Sequence, residues 1–165
     1  MSHWSASEKP APAAGAGFSL ALACDTRIAS EAAFLACAYG RIGASPDGGM
    51  TYFLPRVVGP AKALELLIND PNLTAQAALE EGLVSEVVPA DQLMDRAKEK
   101  AHKLAVKAPH YVRMVKTLVG QSLDNTIADH LQIERHGIAD SMGTEDLKGG
   151  VTAFFGGEQP SFNGR

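Results

Sequence analysis

At 165 residues the chain suits one domain with a real core, since folding at this size buries roughly 70% of the surface that an unfolded chain exposes. Apolar residues at 45% and charged residues at 21% argue against a disordered or low-complexity scaffold. A formal net charge of −4, without a basic stripe, argues against a protein devoted to nucleic acid.

The start, MSHWSASEKPAP, is rich in Ser, Ala and Pro, lacks the charged-then-apolar order of a signal peptide, and reads as a loose leader over residues 1–12. GAGFSLALACD, residues 15–25, joins a flexible glycine entry to good helix formers and predicts a buried helix beginning beside Ala16. Residues 26–37 turn β-like around Arg27, Ile28 and Phe34, with Ser30 and Glu31 marking a turn between two short strands. IGASPDGG, residues 42–49, is a loop, and Gly48-Gly49 introduces a helical stretch over 50–54. Pro60 opens a helix to Ile68, Thr74 caps another over 75–81 with Gly82 as its stop, and LVSEVV (83–88) is the last strand candidate.

From Asp91 the pattern is helical. Leu93, Ala97, Ala101, Leu104 and Ala108 share one face; a second helix follows Pro109, a third runs over 125–142, and Thr144 opens a fourth reaching Phe155. Few strands followed by many helices predict a small α/β layer and then a helical cap or oligomerisation segment. No apolar stretch approaches membrane-spanning length. Cys24 and Cys37 sit in apolar surroundings without a CxxC spacing and read as buried free thiols in a reducing compartment, the cytoplasm.

The blocks GAGFSLALACDTRIASEAAF, RIGASPDGGMTYFLPRVVGPAKALELL and LTAQAALEEGLVSEVVP, in that order, with the ending DLKGGVTAFFGGEQPSFNGR, resemble consecutive segments of the crotonase superfamily, the enoyl-CoA hydratase/isomerase family. The likeness runs from Ala14 to Arg165. It implies an α/β fold class: a partial crotonase (ClpP/crotonase-like) ββα spiral core over 13–90, followed by a C-terminal helical cap or oligomerisation segment over 91–165. It further implies homo-oligomers, trimers or hexamers, that act on acyl-CoA thioesters in fatty acid metabolism and stabilise enolate-like intermediates. Coenzyme A then enters as part of the substrate, with no separate cofactor, metal, nucleic acid or membrane insertion. In the family an upstream segment of several ββα turns supplies one N–H of the oxyanion hole and much of the CoA pocket. This chain starts almost at the second half-site, and the strand leading into the glycine block is shortened to residues 9–13, where prolines withhold strand hydrogen bonds. Truncation, a misplaced start or a partner chain each account for that.

Two sites carry the chemistry that the resemblance implies. Gly15-Ala16-Gly17 corresponds to the oxyanion loop, where a thioester oxygen meets the N–H of Ala16 or its neighbour at a helix start; small residues let it approach, and the amide and helix dipole favour an enolate oxygen. A GxG also serves close backbone packing, and Leu20 spoils any dinucleotide fingerprint. In Ser45-Pro46-Asp47-Gly48-Gly49, position alone makes Asp47 a turn former or helix cap. Crotonase-like isomerases of the dienoyl-CoA and ring-epoxide types carry a catalytic Asp in a similar PDxG loop, which makes Asp47 the candidate proton shuttle.

Hydratases of the family hold a water between two glutamates, whose places are taken here by Ser19 and Tyr39; two-carboxylate hydration is disfavoured. Ser19, Tyr39, Pro46 and Gly48 are candidates to line an acyl pocket, against blander readings in which Ser19 bonds within its helix and Tyr39 packs. His130 and His136, six apart on a helix, do not share a face as metal ligands do, and His102 and His110 read as helix-surface or helix-end residues. Asp25 and Glu31 read as structural. Gly156, Gly157, Glu158 and Gln159 stand where relatives place basic residues for CoA phosphates, leaving Phe162 as an adenine neighbour or a tail anchor. The expected activity is double-bond isomerisation; the alternatives are a non-catalytic fragment or assembly partner and an enoyl-CoA hydratase.

Overall fold

The computed structural model describes residues 12–165. Packing divides the chain into a first unit ending at Ala97 and a second, Lys98–Arg165.

In the first unit, β1 (Pro12–Ala14) leads into α1 (Ala16–Leu22), and β2 (Ile28–Ser30) and β3 (Phe34–Ala36) follow. β1 lies parallel to β3, with Pro12 opposite Phe34 and Ala14 opposite Ala36. Pro12, grouped by composition with the leader, is therefore the first residue of a strand, a place where a missing N–H is tolerated. The rest of the expected leader lies outside the described residues. β4 (Leu73–Thr74), a two-residue strand that the sequence pattern does not mark, joins β3 antiparallel. β2 pairs in a separate sheet, parallel to β5 (Glu86–Val88). β5 is shorter than the LVSEVV run because Leu83 and Val84 still donate their N–H groups to Ala78 O, at 2.8 and 3.2 Å, and enter the core before the strand begins.

The helices of this unit are α2 (Met50–Val58), α3 (Pro60–Asn69) and α4 (Ala75–Glu80). α2 continues past Leu54 through Pro55, where the pattern predicts an end. Pro55 removes one intrahelical donor, yet Leu54 with Phe53, Val57 and Val58 packs against the core and holds the turn in place. Pro60 occupies the first turn of α3, where no donor is needed. Thr74 Oγ1 accepts the Ala77 N–H at 3.2 Å and starts α4. The core is built on Phe18, Met50, Leu54 and Leu83, all wholly buried. Arg27 staples its edge by donating Nε to Leu83 O (2.6 Å) and Nη1 to Cys24 O (2.8 Å). Lys62 reaches Glu81 at 2.7 Å, tying α3 to the end of α4.

α5 (Leu93–Ala105) runs from the first unit into the second, which then comprises α6 (Pro109–Gln121), α7 (Ile127–Met142) and α8 (Glu145–Gly156). Thr126 and Thr144 cap α7 and α8 through their side-chain oxygens. Asp146, buried near the start of α8, accepts the N–H groups of Asn163 (2.8 Å) and Gly164 (2.9 Å), while its own N–H donates to Arg165 O (3.0 Å). Phe162 lies against Gly150. The tail is thus anchored on its own unit. Among the described residues no helix is long and apolar enough to cross a membrane.

Candidate active site

Gly15 closes β1 and turns the chain into α1. Its N–H extends the ladder to Ala36 O at 3.1 Å, and its backbone, φ 53° and ψ −127°, occupies a region open only to glycine. The N–H groups of Ala16, Gly17 and Phe18 then begin the helix, where no intrahelical acceptor exists. Ala16 and Gly17 are exposed, whereas Phe18 and Ser19 are fully buried. No acidic side chain in the first turn neutralises the positive end of the helix.

Asp47 arrives from the other side of the cluster. After β3 the chain makes a short 3-10 turn, Gly40–Ile42, and Ala44 N–H bonds back to Tyr39 O at 3.1 Å, which directs residues 44–49 over the start of α1. Tyr39 is 8% exposed and its hydroxyl donates to Asp47 Oδ1 at 2.6 Å. Ser19 Oγ lies 3.0 Å from Asp47 O, 3.3 Å from Gly15 O and 3.3 Å from the Tyr39 hydroxyl. One buried serine therefore touches both candidate loops. Asp47 itself is exposed, as are Gly48, Ala16 and Gly17. Gly48 (φ 60°) presses so closely on α1 that a Cβ there would lie 3.0 Å from Ser19 Cβ. The loop descends onto the helix only because residue 48 lacks a side chain and residue 19 has a short one.

A residue without any functional reading in the sequence organises the approach to Tyr39. Asp70, itself at φ 44°, accepts the Ala38 N–H on Oδ1 at 2.7 Å and pairs with Arg41 Nε through Oδ2 at 3.0 Å. Arg41 also donates to Asp70 O and Asn72 Oδ1, each at 2.8 Å. Ala38 is held at φ 65°, unfavourable for an L-residue, by this carboxylate. The only hint was the turn chemistry of Asn69-Asp70-Pro71-Asn72. Burial and the Asp70 carboxylate, partly offset by Arg41, push the Cys37 thiol up to about 11.

The expectation of two buried thiols holds for Cys37 and fails for Cys24, which is exposed. α1 ends at Leu22, so Cys24 falls beyond the face formed by Phe18, Ser19 and Leu22, and its Sγ donates to the Leu20 carbonyl at 3.5 Å. Pro46 is half-buried in the Asp47 loop. His136 is exposed and His130 lies 3.7 Å from Glu134. His110 sits at the start of α6, but its Nε2 is enclosed rather than at the surface. Among the described residues no group of three or more His, Cys, Asp or Glu side chains is placed to hold a metal.

The mixed sheet-and-helix core thus carries a glycine turn that opens one helix and a carboxylate loop folded over it, the two joined by Ser19. The sequence profile of the enoyl-CoA hydratase/isomerase family matches residues 11–165, and the chain belongs to that family. It is 36% identical over 153 residues to a probable mitochondrial enoyl-CoA hydratase of Dictyostelium discoideum, covering 93% of this chain and 55% of that relative. It is 35% identical to the 1,2-epoxyphenylacetyl-CoA isomerase of Escherichia coli, covering 93% of this chain and 58% of that protein. A solved structure of an enoyl-CoA hydratase/isomerase from Mycobacterium abscessus superposes with a TM-score of 0.90 at 30% identity, over 93% of this chain and 59% of the other. The fold is accordingly a partial crotonase fold, and the chain spans less than two thirds of the length of these relatives.

Proposed function

We propose that the chain serves acyl-CoA chemistry as a double-bond isomerase. Asp47 takes a proton from a carbon activated by the thioester, the electron pair moves onto the thioester oxygen as an enolate, and the same carboxylate returns the proton to another carbon of the conjugated system. No bond to water forms and no electrons leave the substrate. The N–H groups at the Gly15-Ala16-Gly17 turn stabilise the enolate oxygen, a contribution of about 3–4 kcal/mol for one donor. The observation that carries this reading is the convergence on Ser19: its hydroxyl touches the carbonyls of both Gly15 and Asp47, so the oxyanion turn and the candidate base belong to one cluster.

A second reading, hydration, draws support from relatives described as enoyl-CoA hydratases. Against it stand Ser19 and Tyr39, neither of them a carboxylate. The two readings separate in one experiment. Asp47→Asn is expected to abolish migration of the double bond in a β,γ-enoyl-CoA, and full activity in that variant overturns the assignment; water addition to crotonyl-CoA by the wild type supports hydration instead. A homo-oligomer, trimer or hexamer, fits the apolar surface of the second unit, and a cytoplasmic setting fits two cysteines that are free thiols.

A further inference from the structure

Asp47 is exposed and sits in a loop containing two glycines, yet its carboxylate is not left to rotate freely. The Tyr39 phenol has one proton and three oxygen neighbours: Asp47 Oδ1 at 2.6 Å, Asp47 O at 3.3 Å and Ser19 Oγ at 3.3 Å. The carboxylate oxygen is both the nearest and the charged one, so the proton points there, in a charge-assisted bond of the short O–H···O class. Ser19, whose best acceptor is Asp47 O at 3.0 Å, secures the backbone of the same residue. Among the described residues Asp47 Oδ2 has no hydrogen-bond partner.

The phenol is itself fixed from both sides. Its ring belongs to the core cluster, the preceding Ala38 is clamped by Asp70, and its carbonyl accepts from Ile42 (3.2 Å) and Ala44 (3.1 Å). A donor this rigid imposes its geometry on an exposed carboxylate, rather than the reverse.

We infer that Tyr39 is a positioning residue for Asp47: it occupies Oδ1 and leaves Oδ2 as the oxygen that exchanges protons with substrate. The inference rests on the reading of Asp47 as the proton shuttle. It assigns Tyr39 a task different from lining an acyl pocket, since the hydroxyl is turned to the carboxylate.

Tyr39→Phe removes the donor and keeps the ring. The decisive measurement is the Asp47 13Cγ resonance of the whole labelled chain, read by NMR at one neutral pH. In Tyr39→Phe it is expected to shift, because the hydrogen bond to Oδ1 is lost. 3-Fluorotyrosine at position 39, a stronger donor of similar size, shifts it the other way and serves if the Phe variant folds poorly. An unmoved resonance in both overturns the inference, whatever Asp47 does chemically. In turnover, kcat of Tyr39→Phe falls roughly tenfold while KM stays within about twofold; a rise in KM alone would instead mark Tyr39 as a pocket wall. Failure of the underlying reading looks different: Asp47→Asn then remains active while the resonance still responds to position 39.

Discussion

Phe18 in the first unit and Phe154 in the second are the same side chain in opposite circumstances: Phe18 is completely buried, whereas Phe154 and the adjoining Phe155 are 80% and 83% exposed. Around Phe18, α1, β3 and α2 contribute Leu22, Leu35, Met50 and Leu54 to one closed cluster, and the turn after α4 adds Leu83. In the second unit Tyr111, Val119, Ile138 and Met142 stay open, while the helices bury little beyond Gly137, Asp146 and Ala153. One unit thus draws its order from its own core, the other from caps and a clamped tail, with its apolar faces left over. The candidate site lies wholly in the first.

Substitution of the two phenylalanines tests that contrast most severely. Phe18→Ala removes a ring from a closed core next to Ser19 and should cost about 3–5 kcal/mol in urea unfolding, with loss of order at the Gly15 turn. Phe154→Ser should change folding stability by no more than about 0.5 kcal/mol. Equal costs would mean that the first unit is not the better packed of the two.

A thiol probe sharpens the comparison inside the first unit. At pH 8 a disulfide reagent should modify Cys24 promptly and Cys37 only when the protein unfolds, because Cys37 is buried and its thiol is held up to about 11. The raised value means that the folded state favours the protonated thiol. This contribution is complete below the ordinary value of 9.0 and disappears as pH rises through about 11. Over that window the wild type should lose roughly 2–3 kcal/mol more than Cys37→Ala does. Parallel pH profiles for the two proteins would show that Cys37 ionises as freely folded as unfolded.

Local chemistry made much of this architecture readable in advance. Pro60 and Pro109 open helices because their missing N–H groups fall where no acceptor waits, and Thr74 and Thr144 occupy N-cap positions with their side-chain oxygens engaged; Thr126, inside the expected start at 125, caps its helix without having been marked. What could not be read depends on distant partners. Nothing near Leu73-Thr74 signals a strand until β3 lies beside it, and Pro55 ends a helix by local rule but not when its neighbours pack on the core. The site divides the same way. Asp47 and Gly15-Ala16-Gly17 stand out through their resemblance to family blocks, whereas the meeting of Ser19, Tyr39 and Asp47 requires the loop after β3 to fold back, and that path depends on Asp70, more than thirty residues from Ala38.

The exposed face of the second unit leads to the effect that is smallest in folding energy. Tyr111, Ile138, Leu147, Val151, Phe154 and Phe162 line a recess of about 570 Å³, and Phe154 and Phe155 stand at it with their rings edge to face, 5.5 Å between centroids. An apolar surface of this kind on a lone chain marks an association site or an aggregation hazard. The homo-oligomer proposed above therefore predicts that the wild type sediments as a species larger than one chain, and that Phe154→Ser combined with Phe155→Ser shifts it toward the monomer. Because both rings are exposed, the double variant should unfold within about 1 kcal/mol of the wild type at concentrations where both are monomeric. A wild type that remains a monodisperse monomer in sedimentation velocity refutes self-association through this face. A double variant that unfolds instead of dissociating refutes the contrast with Phe18, because those rings would then belong to a core that the single chain already closes.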